Sequence, residues 1–145
     1  MKGDRMKELI LDELAGMFET AYMERWYYNT ETGGFESRAE DGHEEYESGE
    51  YDEERFDDDR YIPLPDQYDL NDYEMMKDFS VSVDDSIKRN RLMTAIGGKG
   101  AFRWFRHSIA EFGIEDEWYA FKDAAYREIA RRWCIRHKLK YSETK

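Results

Sequence analysis

Apolar residues at Ile10, Leu14, Met17, Phe18 and Ala21 recur at helical spacing with charges between them, which predicts an amphipathic helix from about Asp4 to Met23. The pattern then changes. Arg25-Trp-Tyr-Tyr-Asn and Phe35-Glu-Ser-Arg flank Thr30-Glu-Thr-Gly-Gly, and aromatic runs on either side of a Gly-Gly turn predict a β-hairpin with Trp26 and Tyr28 on one face. Residues 40–60 follow, with Tyr46, Tyr51 and Phe56 as their large apolar residues; they fit either a third strand with a long loop or an Ω-like excursion. Arg60-Tyr-Ile-Pro-Leu-Pro predicts a short strand stopped by its prolines, since proline lacks a ladder donor and restricts the residue before it.

Capping chemistry marks the helices that come next. Asn71, with Glu74 three residues on, fits a capping box for a helix carrying Tyr73, Met76 and Phe79 to about Ser80. Asp84 or Asp85 suits the cap of a helix from Ser86 to Ile96. Gly97-Gly-Lys-Gly breaks the pattern, and Phe102, Phe105, Ile109 and Phe112 then predict the inner face of a helix ending at Gly113. Trp118, Phe121, Ala125, Ile129 and Trp133 predict one apolar stripe on a last helix running to about His137. Together these elements predict an α+β fold: a small antiparallel sheet, hairpin plus strand, packed with about five helices in a single domain over residues 1–145.

Composition refines this picture. The 145 residues are 39% charged, with a mean hydropathy of −0.99, values that alone suggest disorder. Eleven tyrosines, eight phenylalanines and four tryptophans argue instead for a folded domain with one doubtful segment, the acidic tract. The N-terminal residues have the pattern of no secretory signal, and nowhere do 18 apolar residues run together, so the expectation is a cytoplasmic protein without a membrane span. Cys134, the one cysteine, has no partner for an internal disulfide.

Several phrases carry a resemblance. Gly98-Lys-Gly-Ala-Phe-Arg-Trp-Phe-Arg, Glu117-Trp-Tyr-Ala-Phe and Ala130-Arg-Arg-Trp-Cys are similar to the C-terminal signature of a bacterial family, uncharacterised protein family 0158. The Thr32-Gly33 turn, Tyr61-Ile-Pro-Leu-Pro and Tyr73-Glu-Met-Met-Lys-Asp-Phe resemble the same family. The resemblance implies one compact α+β domain of cytoplasmic bacterial or phage origin, and it transfers no catalytic residue.

Charge divides the chain after Ile87. Residues 1–87 hold 8 basic against 27 acidic residues, a net of −19, and residues 88–145 hold 14 against 7, a net of +7. Glu40 to Arg60 carries twelve carboxylates and two arginines, whereas Ser86 to Ala110 carries Lys88, Arg89, Arg91, Lys99, Arg103 and Arg106 and no acid. Such separation bears on association and steering, not on fold. On a helical projection Arg132 and Arg136 fall within the apolar stripe of the last helix while Arg127 and Arg131 project away from it; buried arginines require anionic partners, by default carboxylates of the acidic half, and otherwise a phosphate or acidic protein from outside.

Candidate chemistry is sparse. Lys99 lies in a glycine-rich turn before a helix, a place that favours anions, but Gly100 follows it where a nucleotide loop needs Ser or Thr. Cys134 and His137 give half a zinc site, and Asp57-Asp58-Asp59 lacks the order of a calcium loop, so no metal, cofactor or catalytic residue is assigned. Three functions remain. The first is a non-enzymatic regulator whose acidic face, with Glu53, Glu54, Asp57, Asp58 and Asp59, docks on a protein partner. The second is a nucleic-acid-associated regulator that binds through Lys88, Arg89, Arg91, Lys99, Arg103, Trp104 and Arg106. The third is a metal-dependent hydrolase built on the carboxylates. The net charge of −12 weighs toward the protein partner, because a polyanion is repelled at long range.

Overall fold

A computed structural model describes residues 8–39 and 56–144. In chain order the elements are β1 (Leu9–Ile10), α1 (Leu11–Phe18), β2 (Glu24–Asn29), β3 (Gly34–Ala39), β4 (Tyr61–Pro63), α2 (Gln67–Leu70), α3 (Asp72–Ser82), α4 (Ser86–Ile96), α5 (Ala101–Phe112), α6 (Glu115–Arg136) and β5 (Tyr141–Ser142). The class is α+β. Among the described residues no helix is long and apolar enough to cross a membrane. Contacts gather into two units, one made of the chain to Leu70 with the segment from Arg127, the other of Asn71–Tyr126.

The first unit is built on an antiparallel sheet in the order β3-β2-β4. Its hairpin closes at the pair Asn29 and Gly34, with Gly33 at φ 77°, a conformation that glycine enters without steric penalty. Asn29 is buried and bonded through both ends of its amide: its Oδ1 accepts from the backbone N–H groups of Glu31 and Thr32, and its Nδ2 donates to Glu36 at 3.0 Å. Successive strand residues point to opposite faces, and both faces of β2 are covered. Tyr27 stacks on Phe56 at 4.1 Å, and Tyr28 meets Trp133 of α6 edge-on. The indole of Trp133 donates to the Pro63 carbonyl at 3.0 Å, which ties the end of β4 to α6.

Residues 40–55 lie outside the described residues, and with them Tyr46, Tyr51, Glu53, Glu54 and the choice between strand and Ω excursion. Phe56 to Arg60 form a turn in which Tyr61 N–H reaches the Asp58 carbonyl, and the predicted strand follows as β4.

The first helix is shorter than its periodicity predicts. β1 pairs in parallel with β5, Leu9 beside Tyr141, so Leu9 and Ile10 are extended and the helix starts at Leu11; residues 4–7 of the predicted span lie outside the described residues. Beyond Phe18 the N–H groups of Thr20 and Ala21 bond to carbonyls three residues back, tight turns that end the α-helix while Ala21 stays buried.

The arginines of α6 also differ from the projection. The buried seam of this helix runs through Tyr126, Ala130 and Cys134, not through Ala125 and Ile129, and a one-residue displacement rotates a helical stripe by about 100°. Arg127 and Arg131 therefore lie nearer the packed side and Arg132 and Arg136 are exposed. Arg127 pairs with Asp12, and Arg131 pairs with Glu128 and with Glu143 at 2.8 Å. Arg132 bonds Glu128 one turn back at 3.0 Å, whereas Arg136 makes no ion pair among the described residues.

Cys134 is fully buried, and loss of solvation pushes its thiol from 9.0 up to about 11. At pH 8 its thiolate fraction is then about a hundred-fold below that of a free cysteine. Iodoacetamide is expected to label the native protein at least about a hundred-fold more slowly than the urea-unfolded chain, as measured by intact mass over time.

The second unit is helical, and its boundaries follow the caps. Asn71 at φ 50° accepts from Glu74 N–H, and Asp85, rather than Asp84, accepts from the N–H groups of Ile87 and Lys88. Those bonds hold the Asp85 carboxyl below its usual range. Gly113 ends α5 at φ 69°. Met76, Phe79, Leu92, Ile96, Phe105, Ile109 and Trp118 form the core, and Phe105 packs edge-on to Trp118 at 4.9 Å. Tyr126 closes it by donating to Asp72 at 2.7 Å. Phe102 departs from its expected inward position: it is 48% exposed, because the buried seam of α5 is the Phe105–Ile109 pair and Phe102 sits a turn before it.

Candidate functional site

Helices α4 and α5 pack through Leu92 and Ile96 on one side and Phe105 and Ile109 on the other. Residues flanking those seams at helical spacing necessarily line a groove beside the contact. Asn90, Arg91 and Thr94 come from α4, Trp104, Ser108 and Glu111 from α5, and Gly98 and Lys99 from the connection. The groove has a volume of about 550 Å³, within the range of small-ligand sites.

Trp104 is its central feature. The indole is 46% exposed yet held in place, with the Arg103 guanidinium 5.2 Å from its centroid and the His107 ring edge-on at 5.9 Å. Gly100 lies next to its Cδ1 and Nε1 atoms. This residue is at φ 70°, and a Cβ there would stand 3.4 Å from Trp104 Cδ1. The positive φ means that Gly100→Ala is expected to cost about 1–2 kcal/mol, seen as a lower thermal midpoint with the indole still in place.

The cations of the groove are available. Arg91, Lys99 and Arg103 are exposed, and none makes an ion pair among the described residues. Two further predicted cations serve structure. Arg89 donates to the Val83 and Asp84 carbonyls at 2.7 and 3.2 Å, closing the end of α3, and Lys88 lies over the Phe112 ring. Arg106 is exposed on α5 outside the groove lining. Of the seven basic-face residues the fold thus gathers Arg91, Lys99 and Trp104, with Arg103 over the indole. Asn90, Thr94, Ser108 and Glu111 carry no signal by themselves; their spacing of three or four from Arg91 and Trp104 is what places them there.

The acidic residues sit differently. Asp57, Asp58 and Asp59 are all exposed. Asp58 accepts from the backbone N–H of Arg60 and pairs with its guanidinium at 3.0 Å, bonds that lower its pKa. Among the described residues no three His, Cys, Asp or Glu side chains come together as a metal site.

No curated protein and no solved structure matches the chain. A family model matches residues 6–144, nearly the whole length, and the chain belongs to the Uncharacterised protein family (UPF0158).

Proposed function

We propose that the protein is a non-enzymatic binding module that takes a short run of single-stranded nucleic acid in the α4–α5 groove. A base stacks on Trp104, and the flanking phosphates lie against Arg91 and Lys99. The observation that carries this reading is the meeting of a half-exposed, positioned indole with cations that make no ion pair among the described residues. Base–aromatic stacking contributes about 1–3 kcal/mol per base and is available only where bases are unstacked, which favours single strands over duplex. Asn90, Thr94 and Ser108 add hydrogen-bonding groups, and Glu111 offers an acceptor for exocyclic amines.

The net charge of −12 does not oppose binding at this distance. The Debye length is about 8 Å at physiological ionic strength, so remote acids are screened while groove cations act at contact. The acidic half lowers long-range attraction and thereby weakens non-specific capture of nucleic acid. Titration with an oligothymidylate of about twelve nucleotides tests the reading by NMR. Shifts are expected at Arg91, Lys99 and the Trp104 indole; shifts confined to other residues contradict it.

Exposure of Asp57 and Asp59 favours a second reading, docking of a basic protein on these carboxylates. It requires that Asp57→Asn with Asp59→Asn abolish capture of that partner, and retention of every partner by this variant contradicts it.

A further inference from the structure

A second concavity, of about 390 Å³, lies within the sheet-bearing unit. Its wall on α6 follows from helical spacing: Arg132 and Arg136 are four apart and share a face, with Trp133 and His137 beside them. Its opposite wall is Arg25 of β2 and the loop Pro63–Pro65. The Trp133 indole bond to the Pro63 carbonyl holds the two walls together, and the Leu64 N–H bond to the Trp26 carbonyl fixes the loop on β2.

The charge here is opposite in sign to the net charge of the chain. Three guanidiniums face one lining carboxylate, Asp69, in a chain of net charge −12. Arg25 meets Asp66 at 3.5 Å and Arg132 meets Glu128, but each guanidinium has five N–H donors and these contacts use few of them. Arg136 has no ion pair among the described residues. The Nε of Arg25 is buried with no hydrogen-bond partner, a state that costs about 1–3 kcal/mol unless an acceptor satisfies it. Trp133, Leu64 and Pro65 give the same concavity an apolar side.

We infer that this cleft binds a small phosphate monoester, its phosphoryl group held by Arg132 and Arg136 with Arg25 supplying a further donor, and its compact apolar body lying against Trp133 and Leu64. Guanidinium forks match phosphate oxygens two at a time, and the volume admits a small molecule but not a folded polymer. The site is separate from the α4–α5 groove and does not depend on it.

The test is an NMR titration of the full chain with inorganic phosphate and then with phenyl phosphate. Saturable shifts are expected at the Trp133 indole N–H and at the Nε–H groups of Arg25 and Arg132, with phenyl phosphate the tighter ligand. Arg136→Ala is expected to weaken both ligands at least about ten-fold, and Arg136→Lys, which keeps the charge but loses the fork, to weaken them by a smaller factor. Lys77→Ala, which removes an exposed cation of α3 outside both concavities, leaves both affinities unchanged. Shifts that never saturate, shifts confined to Arg91 and Lys99, or equal affinity in the wild type and both Arg136 variants overturn the inference.

Discussion

Trp104→Ala is expected to weaken binding of a single-stranded oligonucleotide about ten- to hundred-fold, the cost of losing one base–aromatic stack. The fold should barely change. The indole is 46% exposed and contributes nothing to the Phe105–Ile109 seam, so the thermal midpoint is expected to move by no more than about 2 °C. Trp104→Phe separates stacking from bulk: it keeps an aromatic face in the groove and should recover most of the affinity. Fluorescence anisotropy of a labelled strand reads all three proteins. Equal affinity of wild type and Trp104→Ala would remove the indole from the site.

The second large effect is on stability. Phe105 is 1% exposed and touches Phe79 and Trp118, so Phe105→Ala leaves a cavity and is expected to cost about 3–5 kcal/mol in urea unfolding. Phe102→Ala, the same change three residues earlier, should cost less than about 1 kcal/mol, because that side chain is already 48% exposed. The pair distinguishes two residues that helical spacing alone treats alike. Similar losses at both positions would mean that α5 is rotated from the orientation described.

That contrast shows where local pattern stops being informative. Caps were legible because their chemistry is local: Asn71, Asp85 and Gly113 end their helices through bonds to residues no more than four away. The hairpin turn at Gly33 and the β4 strand were legible for the same reason. Faces were less so. On α6, apolar residues occupy a broad arc from Ile129 to Cys134, and only packing against other elements decides that the seam runs through Ala130 and Cys134. Hence Arg127 and Arg131 reach carboxylates on other elements, whereas Arg132 pairs with Glu128 of its own helix and Arg136 makes no ion pair among the described residues. The β1–β5 pair gave no periodic signal, since two-residue strands are too short to alternate.

The candidate site was legible in its charges and its indole, which composition exposes directly. Which cations share a groove depended on how α4 meets α5, so Arg89 and Lys88 entered the basic list although the fold uses them otherwise. The cleft of Arg25, Arg132 and Arg136 joins residues more than a hundred positions apart, and no window of sequence brings them together.

The central claim is that Arg91 and Lys99 contact nucleic-acid phosphates in a groove built around Trp104. Its most direct test is the salt dependence of single-strand affinity in the wild type and in Arg91→Ala with Lys99→Ala. Each phosphate contact on a single strand contributes a slope of about −0.7 in log K against log salt, so the double variant is expected to lose about 1.4 of the wild-type slope together with most of the affinity at low salt. A wild type that binds neither RNA nor DNA at low salt, or a double variant with an unchanged slope, contradicts the account.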